Sequence, residues 1–273
     1  MKMSQALPLL TAAIMLSVCS SVANGQGWGG GYVGAQVGAS RLPAPEDASV
    51  RFDKNLDGDF SDTILTAAGA NAFSPGFCAG AAATALPAAG CTEERTGLDI
   101  GVRAGYDWNA GGLVVGALGE LAFPDHVDST SAFSTTPAFY TFTREVKTLG
   151  SVRGRVGFGG NRALIYGTGG LAWGRLEHSF TTSNTANTFV EEAKDNSWGY
   201  QVGGGIEFMA GRLTVGAEYL ITDLMDEDRH TVRARGPAPA TNPFILTNAS
   251  GTDLRRSDSF MFQAIRATVG YRF

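Results

Sequence analysis

Apolar residues alternate with small or polar residues at a period of two along most of this chain, and this pattern most constrains its fold. The C-terminal stretch FMFQAIRATVGYRF places Met261, Ile265, Ala267, Val269, Tyr271 and Phe273 on one face. The opposite face carries Ala264, Arg266, Thr268, Gly270 and Arg272. Because successive side chains of a β-strand point to opposite sides, the stretch predicts a strand with one apolar and one polar face.

The same alternation recurs along the chain and predicts eight strands. It is clear in RTGLDIGVRAGYDW, LVVGALGELAF, SVRGRVGF, SWGYQVGGGIEF and LTVGAEYLI, and weaker in GYVGAQVGAS, which is the first strand. ALIYGTGGLAWGRLE is extended, but its sequence does not distinguish its two faces.

The connections between these strands alternate in length. Short turns are predicted at residues 109–112, 160–162 and 209–212, and long loops at 41–94, 124–144, 179–195 and 225–258. Short turns on one side and long loops on the other are typical of outer-membrane barrels. The prediction is an all-β fold: an eight-stranded antiparallel transmembrane β-barrel with short periplasmic turns and four long extracellular loops.

A soluble eight-stranded barrel of the lipocalin type is the alternative fold, and it would keep its apolar face inside. The apolar face of this chain ends in aromatic residues: Trp108, Phe123, Trp198, Tyr271 and Phe273. Aromatic residues near strand ends form the interfacial girdles of membrane barrels. The pattern therefore favours a barrel whose apolar face contacts lipid.

The N-terminus predicts export through the Sec pathway. Lys2 precedes an apolar stretch over residues 7–18, and Ser21-Val22-Ala23 is a small-x-small cleavage site. The stretch is too short to span a bilayer and is typical of a signal peptide. We predict cleavage of residues 1–23 and a mature barrel of residues 24–273. A lipoprotein anchored at Cys19 is the alternative, which the bulky Val18 disfavours.

Composition narrows the partners and the compartment. Lys and Arg number 21 against 26 Asp and Glu, a net charge of −5, which argues against nucleic acid as a partner. Cleavage would leave Cys78 and Cys91 as a pair in an exported chain, so a disulfide between them is predicted. It would close the Ala- and Gly-rich stretch CAGAAATALPAAGC.

Two segments carry a family resemblance. LGSVRGRVGFGGNRALIYGTGGLAWGRLE, residues 149–177, resembles the paired fourth and fifth strands of the outer-membrane β-barrel (porin-like surface antigen) family. The terminal GYRF, with Tyr271 and Phe273, is similar to the aromatic signal read by the barrel-assembly machinery. The resemblance implies an OmpA-like barrel in a Gram-negative outer membrane. The expected partners are outer-membrane lipid, lipopolysaccharide and the assembly machinery.

The polar faces predict a charged lumen. It contains Arg103, Arg153, Arg155, Arg266 and Arg272, with Asp99, Glu120, Glu207 and Glu218. Buried charges must be paired, and an eight-stranded interior is just wide enough for its own side chains. We therefore predict a plug of ion pairs. A small gated channel is the alternative.

A lipid-modifying enzyme is a further alternative, because some small barrels modify lipid A with a histidine and a serine on the outer surface. His126, His178 and His230 lie in or beside the predicted long loops, and EHSF offers a His–Ser spacing of one rather than two. The histidines are interpreted as solvated loop residues, and no catalytic residue is predicted. What remains is presentation of the long loops, with a structural, envelope-stabilising or adhesive role toward an extracellular ligand.

The first long loop contains a calcium-like pattern. Asp53, Asn55, Asp57 and Asp59 occupy positions one, three, five and seven of an EF-hand register, with Gly58 at the turn. Position twelve holds Ile64 instead of glutamate, so Asp62 would have to supply the missing carboxylate. No cofactor is required by any other feature, and a weak Ca²⁺ site is the hypothesis. The alternative is a solvated, Asx-rich turn.

Overall fold

The computed structural model describes residues 27–43, 48–92, 96–226 and 228–273, so the predicted signal peptide lies outside the described residues. The elements are β1 (Gly30–Arg41), β2 (Val50–Asp53), β3 (Gly76–Ala79), β4 (Ala81–Ala82), a 3-10 helix (Pro87–Ala89), β5 (Cys91–Thr92), β6 (Thr96–Ala110), β7 (Leu113–Pro124), β8 (His126–Ser134), β9 (Ala138–Gly159), β10 (Ala163–Thr182), β11 (Thr188–Ala193), β12 (Asn196–Ala210), β13 (Leu213–Leu224), β14 (His230–Arg235), β15 (Thr252–Arg256) and β16 (Phe260–Arg272). Within the described ranges, no helix has the length and apolar character needed to cross a membrane.

Eight of these strands form a closed antiparallel barrel. Their order is β10-β12-β13-β16-β1-β6-β7-β9, and pairing of β9 with β10 closes the ring. Each predicted strand is present. Closure leaves no open sheet edge in the wall, as a structure surrounded by lipid requires.

Alternation of exposure along each strand separates the lipid face from the lumen face. In β7 every residue from Leu113 to Pro124 is exposed and buried in turn. Exposure also identifies the two faces of β10, which the sequence alone did not distinguish. Ile165 and Leu171 point outward, whereas Leu164 and Tyr166 point inward. The outward residues form an apolar surface around the barrel wall.

The periplasmic turns are as short as predicted. Gly111 and Gly112 connect β6 to β7 with φ values of 63° and 96°, a conformation that glycine adopts without steric cost. Successive positive φ values suit a two-residue hairpin turn, whose twist matches that of the strands.

The four long connections are the main departure from the predicted layout, because they contain regular β-structure. Residues 124–144 include all of β8 and the start of β9, and β10 runs on to Thr182. Two β-layers result: β3 and β8 with the outer parts of β9 and β10, which continue the barrel sheet, and the separate sheet β11-β14-β15-β2. We call these two layers and their connections the extracellular extension.

An apolar core holds the extension together. Phe73 is its aromatic centre, with ring centroids 4.4 Å from Phe52, 5.3 Å from Tyr140 and 5.8 Å from Phe244. Burial of each such side chain stabilises by about 1.5–3 kcal/mol. Alternation along the sequence does not reveal this core, because its buried members lie on three long connections and Phe180 and Phe189 of the fourth pack against them.

Candidate functional site

The centre of the lumen is occupied by ion pairs around Glu218. Both oxygens of its carboxylate accept hydrogen bonds from Arg103, at 3.2 Å each, and one also accepts from Arg153 at 3.2 Å. The Tyr166 hydroxyl donates to the same carboxylate at 2.8 Å. One acid on β13 therefore holds two arginines from β6 and β9.

Glu120 extends this cluster toward β16. It accepts from Arg153 at 2.6 Å and from Arg266 at 2.6 Å, and Arg266 also donates to Asp99 at 2.7 Å. All of these side chains are buried. Burial without partners would be very costly for any of them, and the pairing removes most of that cost.

These pairs cross the barrel and do not simply follow its wall. Arg103 on β6 and Glu218 on β13 are separated in the ring by β1 and β16, and Arg153 and Glu218 by β10 and β12. Glu120 and Arg266 are separated by β6 and β1. The side chains therefore bridge the lumen in several directions.

A second charged cluster lies closer to the periplasmic end. Asp107 accepts from Arg155 at 2.7 Å and from Arg272 at 2.6 Å, and Arg155 also donates to Glu207 at 2.9 Å. Asp107 is not among the residues predicted to line the lumen, although it lies on the polar face of the strand that contains GYDW. With Asp107 included, the five lumen arginines face five carboxylates: Asp99, Asp107, Glu120, Glu207 and Glu218.

Apolar layers lie on both sides of the charged lumen. At the periplasmic end Trp28 packs with Leu164, Tyr166 and Met209, and its indole N–H donates to the Gly160 carbonyl at 2.9 Å. At the extracellular mouth a second cluster contains Leu42, Ala122, Val146, Leu149, Ala172, Leu176, Leu224, Phe260 and Phe262. The charged side chains of the lumen therefore lie between two layers of buried apolar residues.

The mouth of the barrel carries a third charged cluster, below the core of the extension. Arg144 donates to Asp258 at 3.0 Å and to Asp226 at 3.4 Å, and pairs with Asp128 at 2.8 Å. Arg256 donates to Asp128 and Asp258, each at 2.8 Å. The aspartates hold the pKa of the Arg144 guanidinium above its usual range although burial opposes this. The cluster joins strands of the extension to the barrel.

The interpretation of the three histidines as solvated loop residues was wrong. His126 and His230 are 1% and 4% exposed, and the His178 side chain is 2% exposed. The rings of His178 and His230 lie 5.3 Å apart between centroids. Burial, followed by the neighbouring charge of His178, lowers the pKa of His230 to about 4. Their loops fold into sheets with a core, which is what removes the histidines from solvent.

The contacts of these histidines do not form a nucleophile–base pair. His178 lies 3.1 Å from an Asp226 carboxylate oxygen, and the Ser197 hydroxyl donates to the other oxygen of Asp226 at 2.7 Å. The serine therefore uses its proton on the aspartate and not on the imidazole. A serine activated by histidine would need a direct hydrogen bond between them.

The aspartate-rich stretch forms a self-bonded turn. Asp53 accepts hydrogen bonds from the backbone N–H of Leu56 at 2.6 Å and of Gly58 at 2.8 Å, and Asp57 accepts from Asn55 at 2.8 Å. Asp59 and Asp62 bond to backbone N–H groups of Ser61 and Lys54. In the described ranges no three His, Cys, Asp or Glu side chains are grouped to hold a metal ion, so the calcium hypothesis is unsupported. The geometry matches the Asx-rich alternative.

The two remaining predicted features lie at opposite ends of the molecule. Cys78 and Cys91 are joined by a disulfide in the extension. Tyr271 and Phe273 lie on the outward face at the periplasmic end, with ring centroids 5.6 Å apart, and Arg212 donates to the Tyr271 hydroxyl at 3.3 Å. Both aromatic side chains are exposed there.

A closed eight-stranded ring with an apolar exterior and an ion-paired interior defines an integral outer-membrane barrel. The chain belongs to the outer membrane protein beta-barrel domain family, whose model matches residues 10–273. It is therefore a protein of the Gram-negative outer membrane.

Its relatives bear names of the same kind. It is 35% identical over 128 residues to the 22 kDa outer membrane protein of Rhizobium leguminosarum bv. viciae, covering 46% of this chain and 53% of that protein. It is 28% identical over 202 residues to the 31 kDa outer-membrane immunogenic protein of Brucella melitensis biotype 1, covering 72% of this chain and 71% of that one. The chain thus spans about half the length of the Rhizobium protein.

Among solved structures, it is similar to Ail, the attachment invasion locus protein of Yersinia pestis, solved in complex with the heparin analogue sucrose octasulfate. The match has 12% identity, covers 89% of this chain and 99% of that one, and has a TM-score of 0.33.

Proposed function

We propose that this protein is a closed outer-membrane barrel that presents the extracellular extension at the cell surface, for recognition of a partner and for envelope stability. The main support for a closed lumen is the set of ion pairs that cross it. Glu218, for example, pairs with Arg103 and Arg153, which lie on two other sides of the ring. An eight-stranded barrel has no space left once such side chains fill it.

The extension supports the presentation role. The four long connections fold around a shared core, to which three contribute buried residues and the fourth contributes the partly buried Phe180 and Phe189. A rigid scaffold that positions surface segments is the usual arrangement for binding sites on loops. The Brucella relative carries the word immunogenic in its name, which fits a surface-exposed protein. Lipopolysaccharide and outer-membrane lipid would surround the apolar belt, and the barrel-assembly machinery would read the C-terminal Tyr271 and Phe273.

A catalytic role receives no support from the site. The Asp226 carboxylate stands between Ser197 and His178, and both side chains are buried. A substrate lipid could not reach a serine in that position. We infer that the cluster is structural, and that the protein acts by binding and not by turnover.

Conductance tests the closed lumen. The refolded protein, with insertion verified by heat-modifiable migration on a detergent gel, is added to a planar bilayer at neutral pH. The expected result is the absence of stable channel steps. Reproducible steps in the nanosiemens range would overturn the closed lumen and support the gated-channel alternative.

Cell binding tests the presentation role. Bacteria expressing the wild type are compared with bacteria expressing a variant in which residues 48–92 are replaced by a short Gly-Ser linker. Reduced binding to a host-cell or abiotic surface, at equal barrel content, is expected. If the variant binds as well as the wild type but is less resistant to detergent, the role would be limited to envelope stability.

A further inference from the structure

Two arginines lie directly opposite each other on the outer face of the extension. Arg51 on β2 and Arg255 on β15 are register partners, and their neighbours Phe52 and Leu254 are buried in the core. Because strand residues alternate between faces, both arginines point outward. Like charges directly opposite on neighbouring strands destabilise a sheet.

Neither arginine is neutralised by a carboxylate among the described residues. The adjacent row of the same sheet differs, since Arg233 donates to both oxygens of Asp253 at 2.5 Å. Arg255 instead stacks on the Phe60 ring, with its guanidinium carbon 3.8 Å from the centroid. This stacking fixes Arg255 and leaves its hydrogen-bond donors unused in the described contacts.

Arg51 borders a groove of about 290 Å³ between the two layers of the extension. Phe60 and Phe77 form apolar walls, Phe73 lies at its floor, and Asn71 and Asp62 add polar atoms to the lining. Phe77 is 40% exposed although it is a large apolar side chain. Phenylalanine and arginine are both enriched in the buried cores of protein interfaces.

One wall of this groove is a sheet edge. In the described part of the chain, β3 pairs with β8 alone and stands last in its sheet. An edge strand presents unpaired N–H and C=O groups on its free side, and an extended peptide can add to it as a further strand.

We propose that this groove binds an extended segment of a partner protein that carries a carboxylate next to an apolar side chain. The carboxylate would accept hydrogen bonds from Arg51 and Arg255, the apolar side chain would lie between Phe60 and Phe77, and the backbone would pair with β3. This assignment deepens the proposed recognition role and rests on it.

A polyanionic glycan fits the groove less well than a single carboxylate. Asp62 lines the groove, and Asp57 and Asp59 are exposed on the same connection. A chain of closely spaced sulfates would meet these aspartates and gain nothing from Phe60 and Phe77. A single carboxylate flanked by apolar groups would bring only one negative charge near Asp62, and it would use both the arginines and the apolar walls.

The test uses refolded full-length protein in detergent micelles and labelled octapeptides of alternating threonine and valine with a central phenylalanine–glutamate pair. Matched peptides carry glutamine or lysine in place of the glutamate. By fluorescence anisotropy the glutamate peptide is expected to bind about tenfold more tightly than the glutamine peptide. In Arg51→Glu the new carboxylate would lie opposite Arg255 and pair with it, so the preference for the glutamate peptide should be lost.

Arg235→Glu is the control variant, because Arg235 is exposed on β14 of the same sheet and lies outside the groove. Its affinities should stay within about twofold of wild type, and hydrogen exchange should show new protection in β3 when the glutamate peptide is bound. Equal affinity for all three peptides, or no binding at millimolar peptide, would overturn the proposal.

A heparin octasaccharide forms the last arm of the test. Tighter binding of this glycan than of the glutamate peptide, lost in Arg51→Glu, would assign the groove to a sulfated glycan and overturn the peptide assignment. If the peptides do not bind, the groove assignment fails, whereas the closed lumen and the presentation role are still tested by conductance and cell binding. Failure of this proposal is therefore distinguishable from failure of the proposed function.

Discussion

Glu218 shows how a single residue can hold the interior of a small barrel together. Its side chain is fully buried and meets Arg103, Arg153 and Tyr166. A buried ion pair contributes little net stability when formed, because desolvation cancels much of the attraction. Removing one partner is different, since it leaves charge of one sign in a place that water cannot reach.

Glu218→Gln should therefore destabilise the barrel by about 3–5 kcal/mol, because Arg103 and Arg153 lose a shared counter-charge. Unfolding in urea, followed by tryptophan fluorescence in detergent, measures the change as a lower midpoint. Glu177→Gln is the control, since the Glu177 side chain is 58% exposed and its pair with Lys147 is a surface pair. Equal midpoints for the two variants would contradict the central role of Glu218.

The buried histidines predict acid sensitivity of the extension. Burial lowers the pKa of both His126 and His230 from 6.5 to about 4. Between these two pH values the folded state therefore binds fewer protons than the unfolded state. Stability is then complete above about pH 6.5 and falls as pH drops toward 4. For His230 alone the loss at pH 5 is about 2 kcal/mol.

Hydrogen exchange of the β14 and β15 amides at pH 7.0 and 5.0, corrected for intrinsic rates, measures this loss. His230→Gln keeps a side-chain donor for Glu191, which lies 3.2 Å from His230, and cannot titrate. Its opening free energy should depend less on pH by about 2 kcal/mol. The same pH dependence in wild type and variant would show that His230 does not titrate on opening.

At the scale of elements, the sequence was sufficient for the barrel and insufficient for the extension. Each barrel strand alternates because one side meets lipid and the other meets the lumen, so LTVGAEYLI alone reveals both faces. The strands β8, β11 and β14 are harder to predict from the sequence. Their inner residues pack on segments far away in the chain, such as Phe189 on Tyr140 and Phe142 on His230.

The lumen site was predictable for a related reason. Arg153 and Glu207 stand out as charges on the glycine-rich face of otherwise apolar strands. Which acid meets which arginine depends on register and closure of the ring, and these are set by the whole sheet. Asp107 was missed because it lies near a strand end, where a solvated position was equally consistent with the pattern.

The disulfide is the element-scale feature with a clear local prediction. Between Cys78 and Cys91 the chain forms only the short pairing of β4 with β5 and one turn of 3-10 helix. Loss of the bridge in Cys78→Ser/Cys91→Ser should remove about 3 kcal/mol of loop order on the chain-entropy account. Limited proteolysis should then cut between these positions, whereas heat-modifiable migration of the barrel should not change. Unaltered cleavage would mean that packing alone orders the loop.

At the scale of the whole molecule, charged and apolar layers alternate along the barrel axis. The Trp28 cluster, the lumen ion pairs, the Phe260 and Phe262 cluster, the Arg144 cluster and the core of the extension follow one another from periplasm to surface. The barrel wall is held by a closed ring of hydrogen bonds, and the extension by its own apolar core. We therefore expect the two parts to differ in stability and to unfold separately.

Phe142→Ala tests this separation. Phe142 is fully buried in the core of the extension, with ring centroids 4.9 Å from Phe180 and 5.2 Å from His230. Truncation should cost the extension about 3–5 kcal/mol through lost burial and the cavity left behind. The matched variant Phe158→Ala removes an aromatic ring of the same type that is 76% exposed on the outer wall of the barrel. In whole cells, protease should degrade the extension of Phe142→Ala faster than that of Phe158→Ala, while both variants keep heat-modifiable barrels. Simultaneous loss of barrel and extension in Phe142→Ala would show one cooperative unit, and equal resistance of both variants would show that the aromatic core does not limit the stability of the extension.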